Sequence, residues 1–337
     1  MDGAKRYYEA IKLLPPFANA LQAVPRHIAE SAYEVRIRAG RPVTVETPRE
    51  RHICAGVKAD LADIGKCISY FCDYSLYSCE KELSEGWITL KGGHRAGFTG
   101  TAVTRGGSVT TIRDISSINL RIAAEHRGIA EKLMSLTAFE KGFRGLLILG
   151  APLSGKTTML RDYARLLGSF ARTAIVDERG EIAAVYNGIP QNDIGVNTDV
   201  LDHFPKEEGI MQAVRSLSPE YLVCDEAGGE YERLGECSGK GVKLILSAHC
   251  GSMEEASDNR TVRYLADCGA VNYAALLMNG SNTGEISGLW RINGIEDIGG
   301  CSRGNDLYRG RSRVLGGAET PVYAASGAVG ADRRDAD

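Results

Sequence analysis

The 337-residue chain is 43% apolar and 25% charged, an average balance for a folded globular protein, which excludes wholesale disorder and leaves room for one large or two ordinary domains. Lys and Arg total 40 against 43 Asp and Glu, a net charge of −3, unlike the strongly basic balance of a dedicated nucleic-acid binder. No apolar stretch approaches the roughly 18 residues needed to cross a bilayer. Asp2, Glu9 and Pro15-Pro16 interrupt any secretory leader, and nine scattered cysteines form no Cys-x-x-Cys pair. The chain therefore reads as a reduced, cytosolic protein without structural zinc or a disulfide framework.

Residues 1–135 read as a small α+β domain. Tyr8 to Leu21 has helical spacing broken at Pro15-Pro16, and strand-like runs follow at Val35–Arg38, Trp87–Leu90, Thr99–Val103 and Val109–Ile112. Arg36, Arg38, Arg41 and Arg95 form a basic set there, read as a solvated strand face or a docking surface.

Residues 136–298 change character. Nearly continuous apolar runs at Leu146–Leu149, Ala174–Val176, Tyr221–Cys224 and Leu244–Leu246 alternate with helix-patterned stretches at Thr158–Leu167 and Lys206–Leu217. Fully apolar strands alternating with amphipathic helices predict an α/β domain, a parallel sheet covered on both faces. From residue 299 to 337 the chain is rich in Gly, Arg, Ala and Ser without apolar periodicity and reads as a disordered tail.

Gly150-Ala-Pro-Leu-Ser154-Gly155-Lys156-Thr157 matches G-x-x-x-x-G-K-[ST], with an apolar strand before it and an amphipathic helix after it. Glycines at the first and sixth positions permit the dihedrals that turn successive backbone N–H groups toward an anion, and the helix N-terminus adds partial positive charge. Lys156 is expected to reach the β- and γ-phosphates of ATP, Thr157 to ligate Mg²⁺, and Thr158 to meet the α-phosphate. Tyr221–Cys224 ends in Asp225-Glu226: Asp225 is the candidate Mg²⁺ partner, Glu226 the candidate base for the attacking water. Two further strand tips carry Asp177, Glu178 and Arg179, and Ser247-Ala-His249, whose polar groups are candidates to meet water, metal or γ-phosphate. Arg215 and Arg121 are candidate charge stabilisers, in the same subunit or across an interface.

Further stretches accompany these motifs in consistent order: Glu34–Pro42, Gly97–Ala102, Ser117–Ile122, Ile175–Arg179, Pro190–Gly195, Thr198–Asp202, Arg215–Pro219 and Ser247–His249. Together they resemble the stage III sporulation protein AA family of endospore-forming bacteria, ATPases related to type II and type IV secretion ATPases. The resemblance implies a RecA-like P-loop domain behind a smaller N-terminal domain, assembled as a homo-oligomeric ring, a hexamer, with ATP and Mg²⁺ at subunit interfaces. It implies membrane channel proteins of a sporulation complex as partners, and a cytoplasmic place beside the membrane on the mother-cell side. On it, Asp177 and Glu178 occupy an acidic box and His249 a histidine box. Where the family has Ile-Gly-Arg after the acidic pair, this chain has Ala227-Gly228-Gly229, and the Gly-rich segment Glu230–Gly241 is expected to be a poor helix.

The motifs favour an ATP-hydrolysing motor. An ATP-binding ring scaffold with little turnover stays open, as does a RecA-like nucleic-acid ATPase, although no aromatic-and-basic strip supports the latter. No Asn-Lys-x-Asp guanine-reading sequence occurs, which argues against GTP.

Overall fold

The computed structural model describes residues 3–75, 79–280 and 283–292, and the backbone of Pro321–Ala324. Most of the tail expected from residue 299 onward lies outside the described residues. The chain divides into two compact units, Met1–His126 with Ala184–Asp193, and Arg127–Ala183 with Ile194–Asp337. Among the described residues no helix is long and apolar enough to cross a membrane.

Unit 1 is α+β. It opens with three short helices, α1 (Gly3–Ile11), α2 (Ala18–Gln22) and α3 (Arg26–Ser31), and Pro15-Pro16 falls in the break between the first two. Strands β1 (Glu34–Arg38), β2 (Pro42–Glu46) and β3 (Arg51–Lys58) lead to α4 (Leu61–Phe71), whose first turn is capped by Asp60 accepting from Asp63 N at 2.7 Å. Helix α5 (Glu80–Glu85) and strands β4 (Trp87–Thr89), β5 (Arg95–Arg105) and β6 (Ser108–Arg121) follow. The antiparallel sheet runs β3-β2-β1-β6-β5-β4. Alternation explains its core: Val35, Ile37, Val43, Val45, Ile118 and Leu120 point inward onto Tyr7, Phe17 and Ile64, while Arg36 and Arg38 point away.

A hairpin from further along the chain belongs to the same unit. Strands β9 (Val185–Tyr186) and β10 (Ile189–Pro190) pair across Asn187-Gly188, whose φ values of 47° and 75° are those of a type I′ turn. Gly92 N donates to Gln191 Oε1 at 2.7 Å, Tyr186 Oη to Asp73 Oδ2 at 3.3 Å, and Asp193 N to Glu125 Oε1 at 3.3 Å.

Unit 2 is α/β. Helix α6 (Glu131–Thr137) precedes β7 (Gly145–Gly150), α7 (Lys156–Leu167) and β8 (Thr173–Asp177); beyond the hairpin come β11 (Thr198–Asp202), α8 (Lys206–Ser216), β12 (Tyr221–Cys224), α9 (Tyr231–Gly239) and β13 (Lys243–His249). Helices α10 (Met253–Asp258) and α11 (Arg260–Asp267) and strands β14 (Tyr273–Leu277), β15 (Ile286–Arg291) and β16 (Pro321–Ala324) complete it. The sheet order is β11-β8-β12-β13-β7-β14-β15-β16. Every residue of β7, β8 and β12 is buried, as strands covered on both faces must be. Leu147 and Leu149 join Ile210 of α8, Leu234 of α9 and Leu265 of α11 in one cluster, and α7 lies against β7 and β13.

The expected parallel sheet runs from β11 to β14, and β15 and β16 extend one edge antiparallel. One expectation is corrected. The Gly-rich stretch after the acidic pair does form a helix. A Cβ on Gly235 would lie 3.0 Å from Tyr264 Cε1, so its hydrogen admits the aromatic ring of α11, and packing outweighs propensity.

Candidate active site

The loop between β7 and α7 contains two left-handed residues, Leu153 (φ 65°, almost fully exposed) and Gly155 (φ 89°), which turn backbone amides inward. Gly150 is required by closeness: a Cβ there would sit 2.2 Å from Ser154 Oγ. Gly155 occupies the N-cap of α7, so no side chain satisfies the helix's first amides. Ser154 Oγ is buried without a hydrogen-bond partner among the described residues. Lys156, largely buried, curls back so that its Nζ donates to Ala151 O at 2.9 Å across the loop. Burial pushes this ammonium below its ordinary pKa, opposed by Asp225 and Glu226. An uncapped helix start, an orphaned hydroxyl and a lysine bound to its own loop's carbonyl are the donors an oligophosphate would satisfy.

Strand order brings the other groups to this loop. Because β13 lies between β12 and β7, its tip residue His249 pairs in register with Gly150, while Leu246 pairs with Cys224, just before Asp225. Thr157 Oγ1 donates to Asp225 Oδ2 at 2.7 Å, and Ser247 Oγ donates to Asp225 Oδ1. Two hydroxyls and a carboxylate make an oxygen-only set of the kind Mg²⁺ prefers.

Glu226 adopts φ 50°, a left-handed conformation rare for a residue with a long side chain. Its N–H donates to Ser247 Oγ at 2.9 Å, and its carbonyl accepts from Lys206 Nζ at 2.6 Å. Its carboxylate meets His249 Nε2 at 3.0 Å through Oε1 and Arg179 Nη1 at 2.8 Å through Oε2. Burial pushes the Glu226 pKa up, but the hydrogen bond from His249 and the charges of Arg179, His249 and Lys206 outweigh it and hold the group below its ordinary value.

Not every candidate from the sequence faces this centre. Asp177 is buried, and its two oxygens accept from the backbone amides of Glu181, Ile182 and Ala183 at 2.8–3.0 Å; it builds the turn after β8. Burial pushes its pKa up to about 6 against those three amides. Glu178 is half exposed and lies 3.8 Å from Lys206, which bridges it to Glu226. Arg215, in the last turn of α8, is exposed and has no hydrogen-bond or ion-pair partner among the described residues. Arg121 lies in unit 1, 3.8 Å from Glu34. Sequence reasoning gave no role to Lys206, which stands in no recognisable motif, and named Arg179 only within a polar strand tip, not as the partner of Glu226.

The family profile described as sporulation stage III, protein AA matches residues 20–296. Stage III sporulation protein AA of Bacillus subtilis (strain 168) is 37% identical over 295 residues, covering 85% of this chain and 95% of the relative. Among solved structures, the pilus retraction motor PilT with bound ADP aligns with a TM-score of 0.54 at 14% identity, over 78% of this chain and 77% of that one. The Legionella pneumophila ATPase DotB aligns at 0.51 and 16% identity, over 78% and 75%. These likenesses identify the fold, a RecA-like domain behind a smaller N-terminal one. The chain belongs to the sporulation stage III protein AA family.

Proposed function

We propose that the chain is a Mg²⁺-dependent ATPase, the motor of a sporulation channel complex on the mother-cell side, and that it works as a homo-oligomeric ring, a hexamer. The observation that carries the reading is the meeting of three strand tips: the loop after β7, Asp225-Glu226 after β12, and Ser247 and His249 on β13. Family membership and the fold shared with a pilus retraction motor support it.

The residues divide the work. Loop amides, Ser154 and Thr158 would bind the phosphates, and Lys156 would exchange Ala151 O for phosphate oxygens as the anion enters. Thr157 and Asp225 would hold Mg²⁺, which when bound neutralises charge on the phosphates. Glu226 would orient the attacking water and accept its proton; its depressed pKa keeps it ionised for that task. His249 would fix one carboxylate oxygen of Glu226. Glu178 would act through Lys206, and Asp177 by shaping the turn that presents Glu178 and Arg179.

The test is steady-state ATP hydrolysis by the full chain with Mg²⁺, alongside direct nucleotide binding. Lys156→Ala is expected to abolish binding. Glu226→Gln is expected to retain binding and lose hydrolysis at least about tenfold, a floor below the roughly hundredfold to ten-thousandfold that a general base contributes. Unchanged hydrolysis in Glu226→Gln would remove Glu226 from the mechanism. A second reading, an ATP-binding scaffold, draws on the ties of Glu226 to Arg179 and His249; tight ATP binding by the wild type with negligible hydrolysis at every protein concentration would favour it.

A further inference from the structure

We propose that Lys206 is a positioning residue: by holding the Glu226 carbonyl it keeps Glu226 in its left-handed backbone conformation and so aims the carboxylate. The inference rests on the reading of Glu226 as the group that orients water. A non-Gly residue at φ 50° is unfavourable and persists only where its surroundings impose it. Here the surroundings grip both ends of the residue. On the amide side, Glu226 N donates to Asp225 Oδ1 at 3.0 Å and Ser247 Oγ at 2.9 Å; past the carbonyl, Ala227 N donates to Ser247 O at 2.8 Å. On the carbonyl side, Lys206 Nζ donates at 2.6 Å from a different element, the first residue of α8.

The placement of Lys206 is otherwise unfavourable. A helix N-terminus prefers anions, which Glu207 and Glu208 supply, and an ammonium there opposes the helix dipole. Its side chain is only 16% exposed, so most of the rotamer freedom of a long stem is lost. What the ammonium gains is the Glu226 carbonyl at 2.6 Å, with Glu178 further off at 3.8 Å. Without that hydrogen bond only the Ala227 N–H to Ser247 O bond still holds the peptide after Glu226, and relaxation toward negative φ swings the carboxylate away from His249.

The test uses the full chain with Lys206→Met, which keeps the stem and removes charge and donors, and Lys206→Arg, which keeps both. In Lys206→Met, kcat is expected to fall about a hundredfold, as for a catalytic group misplaced by ~1 Å. KM for ATP and ADP binding by calorimetry should stay within about threefold, since the phosphate loop is untouched. Lys206→Arg should recover part of kcat. In a Glu226→Gln background Lys206→Met should have little further effect, because the group it positions is already gone. A crystal structure of Lys206→Met should show Glu226 at negative φ. Loss of ADP binding, an equal fall in both backgrounds, or φ still positive at Glu226 would overturn the proposal. If Glu226→Gln alone hydrolyses normally, the general-base reading has failed instead, and the two failures are told apart.

Discussion

At the scale of single residues, the chain uses burial in opposite senses on its two units. Glu226 is kept ionised because neighbouring cations defeat its desolvation. In unit 1, His94 is fully buried: Nδ1 accepts from Ala123 N at 3.1 Å, Nε2 has no partner among the described residues, and burial and the charge of Arg6 push its pKa from 6.5 down to about 4. The imidazole is therefore neutral when folded and gains a proton on unfolding below 6.5. Its contribution is complete above that value and is lost as pH falls toward 4, at most about 3 kcal/mol. Urea unfolding is expected to show a stability loss between about pH 7.5 and about pH 5 that shrinks in His94→Gln, even though that variant starts less stable. Equal losses in both proteins would clear His94 of the effect. Of the candidate site, Thr157, Asp225 and Glu226 were legible as polar residues ending apolar runs at recognised spacings. Lys206 was not, and Arg179 was legible only as part of a polar strand tip, because their contacts with Glu226 come from the packing of α8 and the turn after β8.

At the scale of elements, the seating of α8 decides where Lys206 sits. A Cβ on Gly209 would lie 2.7 Å from Val176 Cγ1 and 3.2 Å from Phe204 Cβ, so the helix rests on β8 through a glycine. Gly209→Ala adds about 1 kcal/mol of helix propensity, yet Val176 is β-branched and buried and cannot rotate aside, and overpacking costs about 1–3 kcal/mol. The clash is expected to win: net destabilisation of about 1 kcal/mol in urea, with slower hydrolysis as Lys206 is lifted. A more stable variant with full activity would show that the close seat is dispensable. Strands β7, β8, β12 and β13 and helices α7 and α8 were legible from their periodicity. The forming of α9 was not, because Gly235 reads as a breaker until Tyr264 is known to fill its place. For the hairpin, Asn187-Gly188 between apolar pairs is a turn signal in the sequence, but nothing local says which unit receives it.

At the scale of the whole molecule, α8 joins two candidate groups. Lys206 begins the helix and Arg215 lies in its last turn, about 14 Å away along the axis at 1.5 Å per residue. If Arg215 serves a neighbouring subunit's ATP, mixing Arg215→Ala with wild type should give hydrolysis that departs from a straight line in the mutant fraction. A strictly linear response would restrict Arg215 to its own subunit. Sheet order also belongs to this scale. That β13 lies between β12 and β7 was not legible, since the order of parallel strands is set by non-local packing, and with it went the bridging role of Ser247.

The hairpin of residues 184–193 bears on how the chain is made. Unit 1 is discontinuous: the polypeptide leaves it after His126, returns at Ala184 and departs again after Asp193. During synthesis, β7, the phosphate loop, α7 and β8 therefore all leave the ribosome before the last piece of unit 1 exists. Until Gln191 emerges, the Gly92 amide lacks its acceptor. Vectorial folding, one domain completed before the next begins, is closed to this topology, and the two units must mature on overlapping schedules.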